Sequence, residues 1–133
     1  MLKVLVTPPV TAEHKQLLEA AGGPDAEFIY KDPAAVDAAL MREVDILFGN
    51  VAPALVAEAK QLRLLQLFSA GTDGYIPVLP EGCALTNTTG AFGLAISEHM
   101  LGMLLMLQKR LHQYRDNQQK HCLLYTSDAA DEG

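Results

Sequence analysis

Short apolar runs alternate with helical segments along the first 90 residues, and this alternation restricts the possible folds more than any other feature. Each run is four or five residues long, and glycine, proline, asparagine or aspartate follows closely behind it. Strands that alternate with helices imply right-handed crossover connections and a parallel sheet. The predicted strands cover residues 3–7, 27–30, 44–48, 64–68 and 83–87.

The apolar character of these runs indicates how the sheet is covered. Strands that are apolar on both faces are typical of a sheet with helices on each side. We therefore predict a small doubly wound α/β domain in residues 1–90, flavodoxin-like in layout, with about five parallel strands. Leucines then recur at helical spacing between Leu94 and Leu111, which predicts one long helix over residues 91–121.

Composition and charge narrow the class of protein. Half of the residues are hydrophobic and 20% are charged, which is the balance of an ordinary globular chain. With 10 basic and 16 acidic residues and no basic stripe, nucleic acid is not an expected partner. The longest apolar run of the C-terminal half is far short of the roughly 20 residues that a membrane span needs. No secretory leader is evident, and the two cysteines lack metal or redox spacing, so we expect a cytoplasmic protein without a metal site.

The loop after the fourth predicted strand carries the most chemical information. Ligands of open parallel sheets bind beyond the carboxyl ends of the strands, where residues 69–74 lie. Small residues leave backbone N–H groups accessible to an anion such as a carboxylate, and the hydroxyl of Ser69 or Thr72 can add a hydrogen bond. The alternative is a strand-to-helix turn without a ligand, and the local sequence does not separate the two.

Three segments of the chain resemble the D-isomer-specific 2-hydroxyacid dehydrogenases. They are LLQLFSAGTDGY at 64–75, LTNTTG at 85–90 and ISEH at 96–99, and the last precedes a helical arginine, Arg110. Each is short, but their order and spacing together are fairly specific. The resemblance covers about residues 1–121.

The resemblance implies a role for each part of the chain. Residues 1–90 would be the substrate-binding domain, and residues 91–121 a hinge helix that leads to a nucleotide-binding domain. The backbone amides of Ser69, Ala70 and Gly71 would hold the substrate carboxylate, with Asn50 at the border of the same cleft and Thr72 near the cofactor. The parent enzyme would be a homodimer that interconverts a D-2-hydroxy acid and its 2-keto acid with NAD or NADP.

The dinucleotide and catalytic residues of that family are not found in this sequence. There is no Gly-x-Gly-x-x-Gly turn, which lets a pyrophosphate approach a helix N-terminus. The arginine, acidic residue and histidine of the family would lie downstream, so we assign no catalytic residue here and expect the chain to be inactive alone. Phe68 and Ser69 stand where phosphoglycerate-type members carry an arginine, which favours a smaller 2-hydroxy or 2-keto acid.

The last twelve residues, 122–133, break the helical pattern. Their sequence resembles the translation of a transposase-type sequencing adapter. We therefore predict a non-native tail there and exclude it from the fold.

The alternation of strands and helices also fits two other classes of protein. A response-regulator receiver needs acidic residues after its first strand and an aspartate after its third, whereas this chain has Thr7-Pro8-Pro9 and Gly49-Asn50 at those places. A dehydrogenase relative that serves as a non-enzymatic binding module or corepressor remains open, because the residues that would decide it lie downstream.

Overall fold

A computed structural model of the chain describes residues 1–122. One compact unit comprises Met1–Gly90, and a second begins at Ala91. The first unit contains strands β1 (Leu2–Val6), β2 (Ala26–Tyr30), β3 (Ile46–Phe48), β4 (Leu64–Gln66) and β5 (Ala84–Thr86), and helices α1 (Ala12–Gly22), α2 (Ala38–Met41) and α3 (Pro53–Val56). Single 3-10 turns cover Pro33–Ala35 and Ile76–Val78. The second unit contains α4 (Gly93–Gln108) and α5 (Leu111–Gln119).

The five strands form one sheet in the order β2-β1-β3-β4-β5, and every neighbouring pair is parallel. Val4 at the centre pairs with Phe28 on one side and Ile46 on the other, and Ile46 pairs in turn with Leu64. The chain moves outward in one direction from β1 to β2 and in the other from β3 to β5. This confirms the predicted doubly wound, flavodoxin-like sheet and puts its switch point between β1 and β3.

The core of the first unit lies between the sheet and the segment from Val36 to Leu62. Leu5, Leu47 and Leu65 are fully buried at matching positions of three adjacent strands. Burial of each such side chain stabilises the fold by about 1.5–3 kcal/mol. The remaining core residues are Val36, Met41, Val44, Val51, Val56, Ala59, Leu62 and Leu67. By contrast α1 contains no buried residue, and its Leu17 is 63% exposed.

The single long helix predicted for residues 91–121 is replaced by two helices, which corrects that part of the prediction. The break lies at Lys109 and Arg110, and Arg110 has the left-handed conformation (φ 52°, ψ 32°). The last turn of α4 tightens, since the amide of Arg110 donates to the carbonyl of Leu107 at 3.1 Å. No glycine or proline lies at this break, so the spacing of the leucines predicted one unbroken helix through it.

Apolar side chains of α4 remain exposed on all sides of the helix. Neither α4 nor α5 contains a buried residue, although the two helices contact each other. Leu94 is 73% exposed and Met100 66%. Among residues 1–122, no helix is both long enough and apolar enough to cross a membrane. The predicted non-native tail begins at Cys122, and its remaining residues lie outside the described part of the chain.

Candidate functional site

Gly49 allows the ends of β1 and β3 to approach closely at the switch point. Its φ of +111° is a conformation that favours glycine, and the residue is buried. A Cβ at this position would overlap the hydroxyl of Thr7 and lie 2.7 Å from Cδ of Pro8. The amide of Thr7 donates to the carbonyl of Phe48 at 2.9 Å, which continues the pairing of the two strands into their loops.

Asn50 connects the β3 loop to the β4 loop through both ends of its amide. Its Nδ2 donates to Oγ of Ser69 at 2.9 Å, and its Oδ1 accepts from the amide of Phe68 at 2.8 Å. The structure thus brings together two residues that the sequence predicted for one cleft. Because both amide atoms of Asn50 are engaged, its side chain holds the start of residues 69–71 in one orientation.

Residues 69–71, here called the carboxylate loop, turn their carbonyls toward the protein. The carbonyl of Ser69 accepts from the amide of Thr88 at 3.2 Å, and that of Ala70 accepts from Nδ2 of Asn87 at 2.8 Å. The carbonyl of Gly71 accepts from Oγ of Ser69 at 3.2 Å. Within the described part of the chain, the amides of these three consecutive residues donate no hydrogen bond. Backbone N–H groups without a protein acceptor are available to donate to an anion.

Thr72 directly follows the carboxylate loop and is half-buried. Its carbonyl accepts from the amide of Tyr75 at 2.9 Å, so Thr72 begins the next turn. The hydroxyl of Tyr75 donates to the carbonyl of Val51 at 2.9 Å, and burial raises the pKa of this phenol. The turn therefore fixes the far end of the carboxylate loop against the core.

A cleft of about 570 Å³, here called the switch-point cleft, opens at the carboxyl ends of the strands. Sequence reasoning missed three of its polar residues, Lys15, Tyr30 and Lys31. Tyr30 and Lys31 lie at the end of β2, a position from which the sequence could have predicted them, whereas Lys15 belongs to α1. The other lining residues of the cleft are Val6, Thr7, Pro8, Pro9, Val10, Asp32, Pro33, Gly49, Asn50 and Phe68.

The first unit does not provide a cradle for a dinucleotide. At the start of α1 the hydroxyl of Thr11 accepts from the amide of His14 at 3.2 Å, and Nδ1 of His14 accepts from the amide of Thr11 at 3.3 Å. This capping box occupies amides that a pyrophosphate would need, and no glycine-rich turn precedes it. No cluster of metal-ligating side chains occurs among residues 1–122.

The parallel sheet defines a domain of the doubly wound α/β class, with a loop of open amides at the carboxyl end of β4. Over 95% of its length the chain is similar to a solved D-isomer specific 2-hydroxyacid dehydrogenase family protein from Aeromonas salmonicida subsp. salmonicida A449, with a TM-score of 0.74 and 29% identity. This similarity confirms the resemblance predicted from the residues. The chain spans 42% of that protein's length. No family model and no curated protein matches the chain.

Proposed function

We propose that this chain is the substrate-binding part of an oxidoreductase that interconverts a D-2-hydroxy acid and its 2-keto acid. Residues 1–90 would bind the substrate, and the helices after residue 91 would lead to a nucleotide-binding domain that holds NAD or NADP. The observation that carries the proposal is the run of three amides without protein acceptors in the carboxylate loop. The similarity to a dehydrogenase family protein supports it independently.

Each predicted site residue has a distinct role in this proposal. The amides of Ser69, Ala70 and Gly71 donate to the substrate carboxylate and fix its orientation. Asn50 acts through Ser69 and Phe68 and is therefore a positioning residue. Thr72 borders the cofactor side of the loop. The arginine, acidic residue and histidine that the resemblance implies would lie downstream, so we expect no turnover by the chain alone.

The carboxylate loop can be tested by titrating the ¹⁵N-labelled chain with pyruvate. We expect saturable shifts of the Ala70 and Gly71 amide signals. Ala70→Pro removes one N–H donor and should abolish the shifts, whereas Ala70→Ser keeps that donor at the same position and should retain them. Absence of any response at these amides in the unmodified chain would refute the proposal.

The reaction itself requires the complete parent protein. We expect it to oxidise NADH or NADPH with a 2-keto acid and to function as a cytoplasmic homodimer. Carboxylate binding without turnover in that protein would instead indicate the non-enzymatic relative considered from the sequence.

A further inference from the structure

Two lysines of the switch-point cleft have no carboxylate partner in the described part of the chain. Lys15 and Lys31 are both half-buried and both line the cleft. Nζ of Lys15 lies 4.5 Å from the ring centroid of Tyr30, which holds the ammonium group at the cleft wall. Three other basic side chains form ion pairs, namely Lys3 with Glu43, Arg42 with Glu58 and Arg115 with Asp116.

One acidic residue, Asp32, also lines the cleft. Oδ1 of Asp32 accepts from the amide of Ala34 at 2.8 Å, where it caps the 3-10 turn of Pro33–Ala35. The lining of the cleft therefore carries two ammonium groups and one carboxylate, so its net charge is positive and favours an anion.

The cleft and the carboxylate loop are adjacent. Asn50 and Phe68 line the cleft, while Asn50 also donates to Ser69 of the loop. The cleft volume of about 570 Å³ falls within the range of about 300–1,000 Å³ that is typical of drug-sized ligands, and a three-carbon acid would leave most of it to water.

We propose that the switch-point cleft binds a second anionic group of the substrate, through Lys15 and Lys31. This inference rests on the proposed function, because the first carboxylate of the same molecule occupies the carboxylate loop. The substrate class is then a 2-hydroxy or 2-keto acid with a distal carboxylate or phosphate. This class differs from the smaller acid that Phe68 and Ser69 favour, because the positive charge comes from α1 and from the end of β2 instead of the β4 strand end.

Amide titrations of the ¹⁵N-labelled chain at constant ionic strength test this inference. Pyruvate carries one anionic group, 2-oxoglutarate adds a distal carboxylate and 3-phosphoglycerate adds a distal phosphate. We expect at least one of the two larger acids to bind roughly tenfold more tightly than pyruvate, as expected for one added charge interaction. The larger acid that binds better identifies the distal group.

Substitutions then locate the added affinity. The double variant Lys15→Gln/Lys31→Gln should reduce the affinity for the larger acid to that for pyruvate and leave pyruvate binding unchanged. Lys60→Gln is the matched control, because Lys60 is an exposed lysine that precedes β4 and so lies at the opposite edge of the sheet. Equal affinities for all three acids, or full affinity in the double variant, would overturn the inference.

Inorganic phosphate separates this inference from the proposed function. If phosphate shifts the amides of Val10 and Lys31 while no 2-keto acid shifts Ala70 or Gly71, the cleft binds anions and the proposed function fails. If pyruvate shifts the loop amides and neither phosphate nor the larger acids shift the cleft amides, the proposed function stands and the second anionic site is refuted.

Discussion

At the scale of single residues, the switch point depends most on Gly49. Its positive φ and the nearness of Thr7 and Pro8 both exclude a side chain. The two requirements are separate, because the first is a property of the backbone and the second a property of its neighbours. Asn50 follows directly, so a shift of Gly49 would move the side chain that holds the carboxylate loop.

Gly49→Ala should therefore destabilise the chain strongly. We expect a loss of about 3 kcal/mol in the free energy of unfolding, from backbone strain together with overlap at Thr7 and Pro8. Gly82→Ala is the control, since Gly82 also has a positive φ (+77°) but nothing lies within 4 Å of its Cβ position. It should lose only about 1 kcal/mol. Urea unfolding measures both values, and equal losses would contradict the steric part of the argument.

Tyr75 should make stability depend on alkaline pH. Burial raises the pKa of its phenol, so the folded state favours the neutral form, and this stabilisation is present below the unfolded pKa of about 10 and lost as pH rises through the folded pKa. Tyr75→Phe also removes the hydrogen bond to Val51, which costs about 1 kcal/mol at neutral pH. Urea midpoints at neutral pH and above about pH 10 should converge for the two proteins, whereas parallel decline would contradict the prediction.

The sequence alone predicted the residues of the carboxylate loop but not Lys15 and Lys31 of the switch-point cleft. Ligands of parallel sheets bind beyond the carboxyl ends of the strands, so residues at those ends can be predicted without knowledge of packing. These residues are Asn50, Ser69, Ala70 and Gly71. Lys15 enters the cleft only because α1 places it over Tyr30, fifteen positions along the chain. That contact depends on how the helix sits beside β2, which spacing alone does not give.

At the scale of elements, strands were more predictable than helices. Each strand is short and mostly apolar, and Leu5, Leu47 and Leu65 show why apolar residues are required on a sheet buried at its centre. Helix α3 is a single turn, because Ala59 and Leu62 reach the core from the turn that follows it. The break after α4 had no sequence signal, since arginine rarely adopts the left-handed conformation.

Arg110→Gly tests the break between α4 and α5. Glycine takes the left-handed conformation without strain, so the helicity of both helices should persist or rise. In one continuous helix the same change would cost about 1 kcal/mol and reduce helicity on both sides. Secondary Cα chemical shifts of residues 105–115 report the outcome, and Arg110→Ala is the matched control, in which the strain should remain.

At the scale of the whole molecule, the two units differ in how they are stabilised. All buried residues of the described chain belong to the first unit, whereas α4 exposes large apolar side chains along its whole length. A helix that is apolar on all sides is typical of one that packs inside a larger assembly. The first unit should therefore fold without the second.

A chain shortened to residues 1–90 should unfold cooperatively and remain monomeric. The longer chain should self-associate with rising concentration, because contact between copies removes apolar surface of α4 from water. Sedimentation velocity over a range of concentrations compares the two, with Leu101→Lys/Leu104→Lys in the longer chain as a control that should lower association. A longer chain that stays monomeric throughout would contradict this prediction.

The order of the strands also has a consequence for synthesis on the ribosome. After β3 joins β1 at the centre, each later strand adds to the outer edge in the order in which it is translated. Leu67 is the last buried residue in the described chain, so every buried side chain of the core has been made before β5, and β5 adds only the partly buried Leu85. A nascent chain that has emerged only as far as the carboxylate loop therefore already contains the buried residues that drive collapse. The final strand, β5, is then added to a sheet of four strands that has already formed.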